Sequence, residues 1–241
     1  RDGKLVPATW AEAFEAIAAV NAGASVAAIA GDLVDCETMF AAKALVGAMG
    51  STLLEGRQTG LSYDCTSLSA VNFNSGIARV EEADVILLIG TNLRWEAPLI
   101  NTRVRKAVWK RGAKAFAIGP ECDLTYKVEW LGDDAGLIGK LPKHVTDAFA
   151  KAERPLVIVG GGALSVPGAQ GAAQALVKTH NLVRDDWNGF NVVHMAASRM
   201  GGLMLGYAQS GGIADIVAAK PNSPSSLVPM KWISPSSRTH A

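Results

Sequence analysis

The loop that follows residues 85–89 holds the side chains best suited to binding a ligand. Residues 85–89 are a continuous apolar run, as expected of a strand buried on both faces. Pro98 then opens a helical segment. Loops at the carboxyl ends of such strands are where open α/β sheets bind ligands. The residues that could contact a nucleotide, or that remain from a former nucleotide pocket, are Gly90, Thr91, Asn92, Arg94 and Glu96.

Two charged residues of this loop allow two interpretations. Arg94 and Glu96 either pair with each other or hold the loop in place. A second glycine loop at 159–164 also follows an apolar run, and glycines there would let a backbone approach a phosphate. Ser165 stands where a dinucleotide fingerprint needs its third glycine, and no acidic residue lies on a following strand. The sequence therefore favours a tight strand-to-helix turn over a dinucleotide-binding module.

Residue types suited to metal binding are scattered. Cys36, Cys65 and Cys122 lie far apart with no C-x-x-C spacing, which predicts free thiols in a reducing compartment. None of the four histidines has a second one at H-x-x-x-H spacing. No serine lies in a G-x-S-x-G turn. We therefore predict no metal site and no catalytic residue.

The composition excludes several classes of function. The 241 residues carry a net charge of +1, which gives no electrostatic case for nucleic-acid binding. No apolar run approaches the roughly 20 residues that a membrane helix needs, so no direct membrane insertion is expected. Hydrophobic residues make up 49% and charged residues 19%, which suits a sheet covered on both faces or a subunit in contact with partners. The first residue is Arg1 and not Met, which predicts a fragment of a longer chain.

Helical and strand patterns alternate along the chain. Strands are predicted at 25–30, 51–54, 85–89, 114–118 and 155–159, and helices at 10–20, 37–49, 97–111, 143–152, 169–180, 191–204 and 214–218. Residues 55–76 are predicted to be a loop. This order predicts one α/β domain over 1–220, with a mostly parallel, Rossmann-like sheet and helices on both faces.

Three local charge patterns accompany these elements. Thr9 and Glu12 are spaced as a helix capping box. Glu81, Glu82 and Asp84 are expected to form a solvated helix end. A basic face on the following helix, also expected to be solvated, consists of Arg103, Arg105, Lys106, Lys110 and Arg111.

Several runs resemble one known family. They are 7–13, 31–35, 80–84 through 103–106, 123–126, 131–132 and 187–207, and together they cover most of residues 5–218. On these runs the chain resembles the molybdopterin-oxidoreductase-like region in the large iron–sulfur subunit of NADH-quinone oxidoreductase, respiratory complex I. The combination of Gly90-Thr91-Asn92 with Glu96-Ala97-Pro98 resembles the alphaproteobacterial or mitochondrial branch.

The resemblance implies a structural domain without a cofactor of its own. The iron–sulfur clusters would lie in an N-terminal part of the parent subunit that this sequence lacks. The partners would be other peripheral-arm subunits, on the cytoplasmic face of the bacterial inner membrane or the matrix side of the mitochondrial one. Leu93 replaces the proline usual at that point, which argues against a preserved pocket.

An alternative remains open at this stage. The chain could be the molybdopterin-guanine-dinucleotide-binding domain of a formate dehydrogenase-like oxidoreductase. Such a domain needs a residue that ligates molybdenum, and Cys65 is the nearest candidate by its loop position.

The tail at 221–241 is predicted to be irregular. It is rich in Pro and Ser and shows no helix or strand pattern. When the codons of residues 230–233 are read two bases out of phase, they give Glu, Val or Met, and Asp, which resembles the continuation of the family. We therefore expect the tail after Lys220 to be a frameshift product, which resequencing the DNA would test.

Overall fold

The computed structural model describes residues 3–21, 26–57, 63–219 and 227–230. The helices are α1 (Trp10–Asn21), α2 (Cys36–Ala48), α3 (Leu93–Glu96), α4 (Pro98–Arg111), α5 (Lys143–Lys151), α6 (Gly161–Leu164), α7 (Ala169–Thr179), α8 (Arg199–Leu205) and α9 (Ile213–Ala218). The strands are β1 (Ala27–Ala30), β2 (Leu53–Glu55), β3 (Val85–Ile89), β4 (Lys114–Ile118), β5 (Glu129–Gly132), β6 (Pro155–Val159), β7 (Val183–Arg184), β8 (Trp187–Asn188), β9 (Phe190–Val192) and β10 (Leu227–Met230). Short 3₁₀ turns lie at Leu68–Ala70, Ala78–Glu82 and Ala135–Gly139.

A five-stranded parallel sheet forms the centre, in the order β5-β4-β3-β6-β9. Every residue of β3 is buried. Leu87 and Ile89 pack on the side of α5 and α7, whereas Ile86 and Leu88 pack on the side of α4. Because successive side chains of a strand point to opposite faces, both layers of helices need an apolar β3. The expected α/β fold with helices on both faces is confirmed.

Two further sheets depart from the expectation of a single sheet. β10, β1 and β2 form a separate parallel sheet, and β7 pairs with β8 in an antiparallel hairpin. The separate sheet has its own core, which includes Met39 and Val46 of α2 and the buried Tyr207. The expectation of an irregular tail is wrong at 227–230, where β10 pairs with β1. The rest of the tail lies outside the described residues, and its origin in a frameshift stays a prediction.

The predicted helix at 191–204 is wrong in its first half. Residues 190–192 form β9, which pairs with β6, and α8 begins only at Arg199. The spacing of the apolar residues here fits a helix as well as a strand, and these residues form a strand because they can pair with the buried strand β6. The Asn191 side chain supports the strand by accepting hydrogen bonds from the N–H and hydroxyl of Ser75, both at 2.9 Å. β5 was missed because this edge strand is only partly buried and has no apolar run.

The acidic run before β3 ends a 3₁₀ turn and is partly solvated, as expected, but it also makes specific contacts. Glu81 accepts hydrogen bonds from Arg103 and from Lys106, the latter at 3.0 Å. Arg154 donates to Glu82 at 2.5 Å. Asp84 accepts from the backbone N–H of Glu153 at 2.7 Å, and so joins the start of β3 to the turn before β6. The basic face of α4 is therefore partly used in packing.

Helix starts follow the local signals closely. The Thr9 N–H donates to Glu12 at 2.8 Å and the Glu12 N–H donates to the Thr9 hydroxyl at 3.3 Å, which confirms the capping box. Asp35 caps α2 by accepting from the Thr38 N–H at 2.7 Å. Among the described residues, no helix combines the length and apolar character needed to cross a membrane.

A buried ion pair ties the small sheet to its surroundings. The side chains of Glu55 and Arg57 are both fully buried, and Arg57 Nη2 lies 2.8 Å from Glu55 Oε2. Arg57 also donates to the carbonyl oxygens of Tyr63 and Gln209. Burial opposes the ionisation of Glu55, but hydrogen bonds from Arg57 and from the Gln209 N–H outweigh it, so the pKa of Glu55 lies below its ordinary value.

Candidate functional site

A cavity of about 520 Å³ lies at the carboxyl ends of β3 and β4. Four of the five loop residues singled out from the sequence line it: Gly90, Thr91, Asn92 and Glu96. Arg94 is not among the lining residues, because its guanidinium forms an ion pair with Asp123 at 2.8 Å. Arg94 and Glu96 therefore do not pair with each other.

Glu96 joins the two glycine loops. Its Oε1 accepts a hydrogen bond from the Asn92 N–H at 2.9 Å. Its Oε2 accepts from the Gly161 N–H, also at 2.9 Å. The Asn92 side chain accepts from the Arg94 N–H at 3.2 Å and so caps α3. Glu96 therefore holds the loop in place, which is the second of the two interpretations of the charged residues.

Glycines let these two loops touch. Gly90 has a φ of 55°, and a Cβ built on it would lie 2.2 Å from the Ala163 backbone nitrogen. A Cβ on Gly160 would lie 2.3 Å from Thr91 Cβ. The Gly162 N–H donates to the Gly90 carbonyl at 2.9 Å. The glycines are therefore needed for contact between the loops, as the predicted tight turn implies.

Three further polar residues that line the cavity were not assigned to this site from the sequence. Glu121 and Cys122 follow the carboxyl end of β4, so the rule that pointed to Gly90 also applied to them. Asp133 follows β5, and that strand carried no clear signal. Burial raises the pKa of the Cys122 thiol, and the nearby carboxylate of Asp123 raises it further.

Comparison with known proteins defines the family. The profile of the molybdopterin oxidoreductase family matches residues 1–231. The chain belongs to the molybdopterin oxidoreductase family. It is 37% identical over 216 residues to an NADH-quinone oxidoreductase subunit of Rickettsia felis, which is 86% of this chain and 32% of that protein.

Mitochondrial relatives give the same result. The chain is 36% identical over 217 residues to the NADH-ubiquinone oxidoreductase 78 kDa subunit of Candida albicans, covering 85% of this chain and 30% of that one. It is 32% identical over 214 residues to the NADH dehydrogenase iron–sulfur protein 1 of Solanum tuberosum, and the match covers 85% of this chain and 29% of that protein. This member of the molybdopterin oxidoreductase family thus spans about a third of the length of these relatives.

The residues of the cavity do not fit the anionic cofactor that the family name implies. The charged side chains that line it are all carboxylates: Glu96, Glu121 and Asp133. No Lys or Arg is among the described lining residues, so a pyrophosphate would meet repulsion without a counter-charge. The Gly161 N–H, which could face such an anion, already donates to Glu96.

The candidate metal ligand of this molybdopterin oxidoreductase family member lies elsewhere. Cys65 is not among the residues that line the cavity. Its Sγ lies 3.2 Å from the Tyr63 carbonyl oxygen, and burial raises the pKa of its thiol despite the nearby Arg57. The described residues contain no cluster of three or more His, Cys, Asp or Glu side chains arranged to hold a metal; the absence of a metal site stays a prediction.

Glu96→Gln is expected to loosen the contact between the loops. The amide keeps one acceptor oxygen but turns an NH₂ toward one of the two backbone N–H groups, so one donor loses its partner. We expect the free energy of unfolding in urea to fall by about 1–2 kcal/mol. Glu121→Gln is the matched control: this residue also lines the cavity but is exposed. A change within about 0.5 kcal/mol is expected there. Equal effects of the two variants would contradict the role given to Glu96.

Proposed function

We propose that this chain is a structural domain, without a cofactor of its own, in the large iron–sulfur subunit of an NADH-quinone oxidoreductase. The parent enzyme carries electrons from NADH through iron–sulfur clusters to quinone and couples this transfer to proton translocation. The domain would shield that electron path and brace neighbouring subunits. The observation that carries the cofactor-free assignment is the Glu96 carboxylate, which bridges Asn92 and Gly161. It lies beside a cavity whose other charged side chains, Glu121 and Asp133, are also carboxylates.

The parent enzyme is supported by the relatives. Their names describe subunits of NADH-quinone or NADH-ubiquinone oxidoreductases in bacteria, a fungus and a plant. The iron–sulfur clusters belong, in this proposal, to a part of the longer subunit that this sequence does not include. In this chain Cys36, Cys65 and Cys122 are free thiols.

The same relatives support a proposal for the partners and the location. The domain would assemble with other peripheral-arm subunits of complex I. It would lie on the cytoplasmic face of a bacterial inner membrane, or on the matrix side in a mitochondrion. The exposed large apolar side chains of α1, Trp10, Phe14 and Ile17, suit a subunit with surface in contact with partners.

The competing function is a molybdopterin-dinucleotide-binding domain of a formate dehydrogenase-like oxidoreductase. The position of the cavity at the carboxyl ends of β3 and β4 favours it, since this is where cofactors bind in open α/β sheets. The acidic lining opposes it.

One experiment separates the two functions. Membranes of the source cells, with the chain tagged at its gene, are mildly solubilised and resolved on a native gel stained for NADH oxidation. We expect the tag to migrate with a large NADH-oxidising band that holds iron but no molybdenum or tungsten in proportion to the tag. Migration apart from that band would overturn the assignment to the parent enzyme. Molybdenum or tungsten equimolar with the tag would overturn the cofactor-free role.

A further inference from the structure

We propose that a basic cleft at the amino-terminal end of the central sheet binds an acidic segment of a partner protein. The basic cleft is a pocket lined by Lys114 and Lys127, beside β4 and β5, together with the adjoining end of α4. That helix end carries Trp109, Lys110 and Arg111, which lie in sequence between the lining residues Val108 and Gly112. It lies at the opposite end of β4 from the cavity at Gly90. The inference therefore goes beyond the proposed function and does not depend on whether the cavity holds a cofactor.

The cleft has room for an anchoring side chain. Its volume is about 450 Å³, and apolar residues that include Val108, Ala113 and Phe116 line it together with Lys114 and Lys127. β5 is the edge strand of the central sheet, so the cleft lies beside an edge that carries no further described strand. An extended segment can thus approach from the side of β5.

Four cations around the cleft form no ion pair with a described residue, and they outnumber the carboxylate that lines it. Lys110, Arg111, Lys114 and Lys127 are exposed, and no described carboxylate lies within ion-pair distance of them. The carboxylate that lines the cleft, Glu129, is 2.7 Å from His144 Nε2. Since the net charge of the chain is only +1, this concentration of cations is local. A surface with this charge attracts negatively charged binding partners and disfavours positively charged ones.

An exposed aromatic side chain extends the surface. Trp109 is 63% exposed, and the Arg105 guanidinium lies 4.0 Å from the centroid of its ring. Tryptophan and arginine are among the residues most enriched at positions that dominate the energetics of protein interfaces. Their pairing beside an apolar cleft therefore indicates a contact with protein.

Other negatively charged macromolecules fit less well. A phosphate backbone gains nothing from the apolar floor of the cleft, whereas a protein segment can place an apolar side chain there. A helix that lies on a membrane needs a continuous apolar stripe along its free face. The apolar stripe of α4, with Ile100, Val104 and Ala107, is buried against the central sheet.

Binding of a defined peptide tests the proposal. The probe is a fluorescein-labelled peptide in which glutamates flank a central leucine, titrated with the purified chain. We expect saturable binding that weakens with salt, and about tenfold weaker binding by Lys110→Glu/Arg111→Glu. Lys151→Glu/Lys178→Glu is the matched control, because it changes the net charge by the same amount at the exposed ends of α5 and α7. Its affinity for the peptide is expected to lie within about twofold of that of the unchanged chain. Lys127→Glu, which lies outside any helix, is a second variant on the other side of the cleft, expected to lose about threefold.

Several outcomes would overturn the proposal. They are the absence of saturable binding, equal weakening by the two double variants, and equal binding of a peptide with serine in place of leucine. Tighter binding of phosphatidylglycerol vesicles or of single-stranded RNA than of the peptide would assign the cleft to those partners instead. In native membranes, a photo-crosslinking residue at position 109 is expected to capture an acidic segment of another protein; capture of a second copy of this chain would also contradict the proposal.

Discussion

Arg57→Met is expected to lower the free energy of unfolding by about 3–5 kcal/mol, because it leaves the Glu55 carboxylate buried without its counter-charge. Both side chains are fully buried, and Arg57 contacts Glu55 through two nitrogens, at 2.9 Å and 2.8 Å. The lost guanidinium also leaves the Tyr63 carbonyl without this donor. Urea denaturation followed by circular dichroism measures the loss. Arg111→Met, at the exposed end of α4, is the matched control and changes stability by at most about 0.5 kcal/mol.

Removing both charges tests the cause of this loss. Glu55→Gln/Arg57→Met buries no charge and keeps an acceptor oxygen for the backbone N–H groups that the Glu55 side chain binds, so we expect it to recover part of the stability lost in Arg57→Met. The pKa of Glu55 is lowered in the folded chain. The stability that its ionisation contributes is therefore present above its unfolded pKa of about 4.3 and is lost as the pH falls through the folded value. A double variant as unstable as the single one would show that the unpaired charge of Glu55 is not the cause of the loss.

Gly90→Ala is expected to cost about 3–4 kcal/mol of unfolding free energy, from backbone strain and a steric clash together. The φ of 55° disfavours any side chain, and the new Cβ would lie 2.2 Å from the Ala163 nitrogen and 2.8 Å from its Cα. Because both are backbone atoms, no side-chain rotation relieves the clash. The start of α6 must move away, which breaks the hydrogen bond from the Gly162 N–H to the Gly90 carbonyl.

Gly112→Ala separates the two contributions. Gly112 has a φ of 71°, but a Cβ there would meet nothing within 4 Å. The control therefore reports strain alone, expected to be about 1 kcal/mol in thermal or urea unfolding. If the two alanine variants lose equal stability, the contact between the loops at Gly90 contributes nothing and the packing given for them is wrong.

The central strands could be predicted because their signal is local. Residues 85–89, 114–118 and 155–159 are apolar runs between breakers, and they became β3, β4 and β6 with these bounds. Parallel strands place their carboxyl ends along one edge, so the cavity at Gly90 followed from β3 alone. Helix starts such as Thr9 with Glu12 carry equally local signals.

Features that join distant parts of the chain could not be predicted in this way. Glu96 accepts from Gly161, which lies 65 residues away, and no spacing rule links them. Residues 190–192 become a strand only because β6 offers an edge to pair with. Which basic residues of α4 form ion pairs depends on the position of Glu81. Its carboxylate accepts hydrogen bonds from Arg103 and Lys106, whereas Lys110 and Arg111 stay exposed.

The pairing of β1 with β10 joins two strands that leave the ribosome at very different times. Ala27 pairs with Leu227, so two neighbours in the small sheet are separated by 200 residues of sequence. At roughly 5–20 residues per second, a ribosome takes about 10–40 s to deliver β10 after β1 has emerged. During that interval β1 can pair only with β2, and its other edge is open to strands of other chains. The free edge of β1 is thus a site of aggregation until residue 227 has emerged, and a pause in translation before residue 227 lengthens that period.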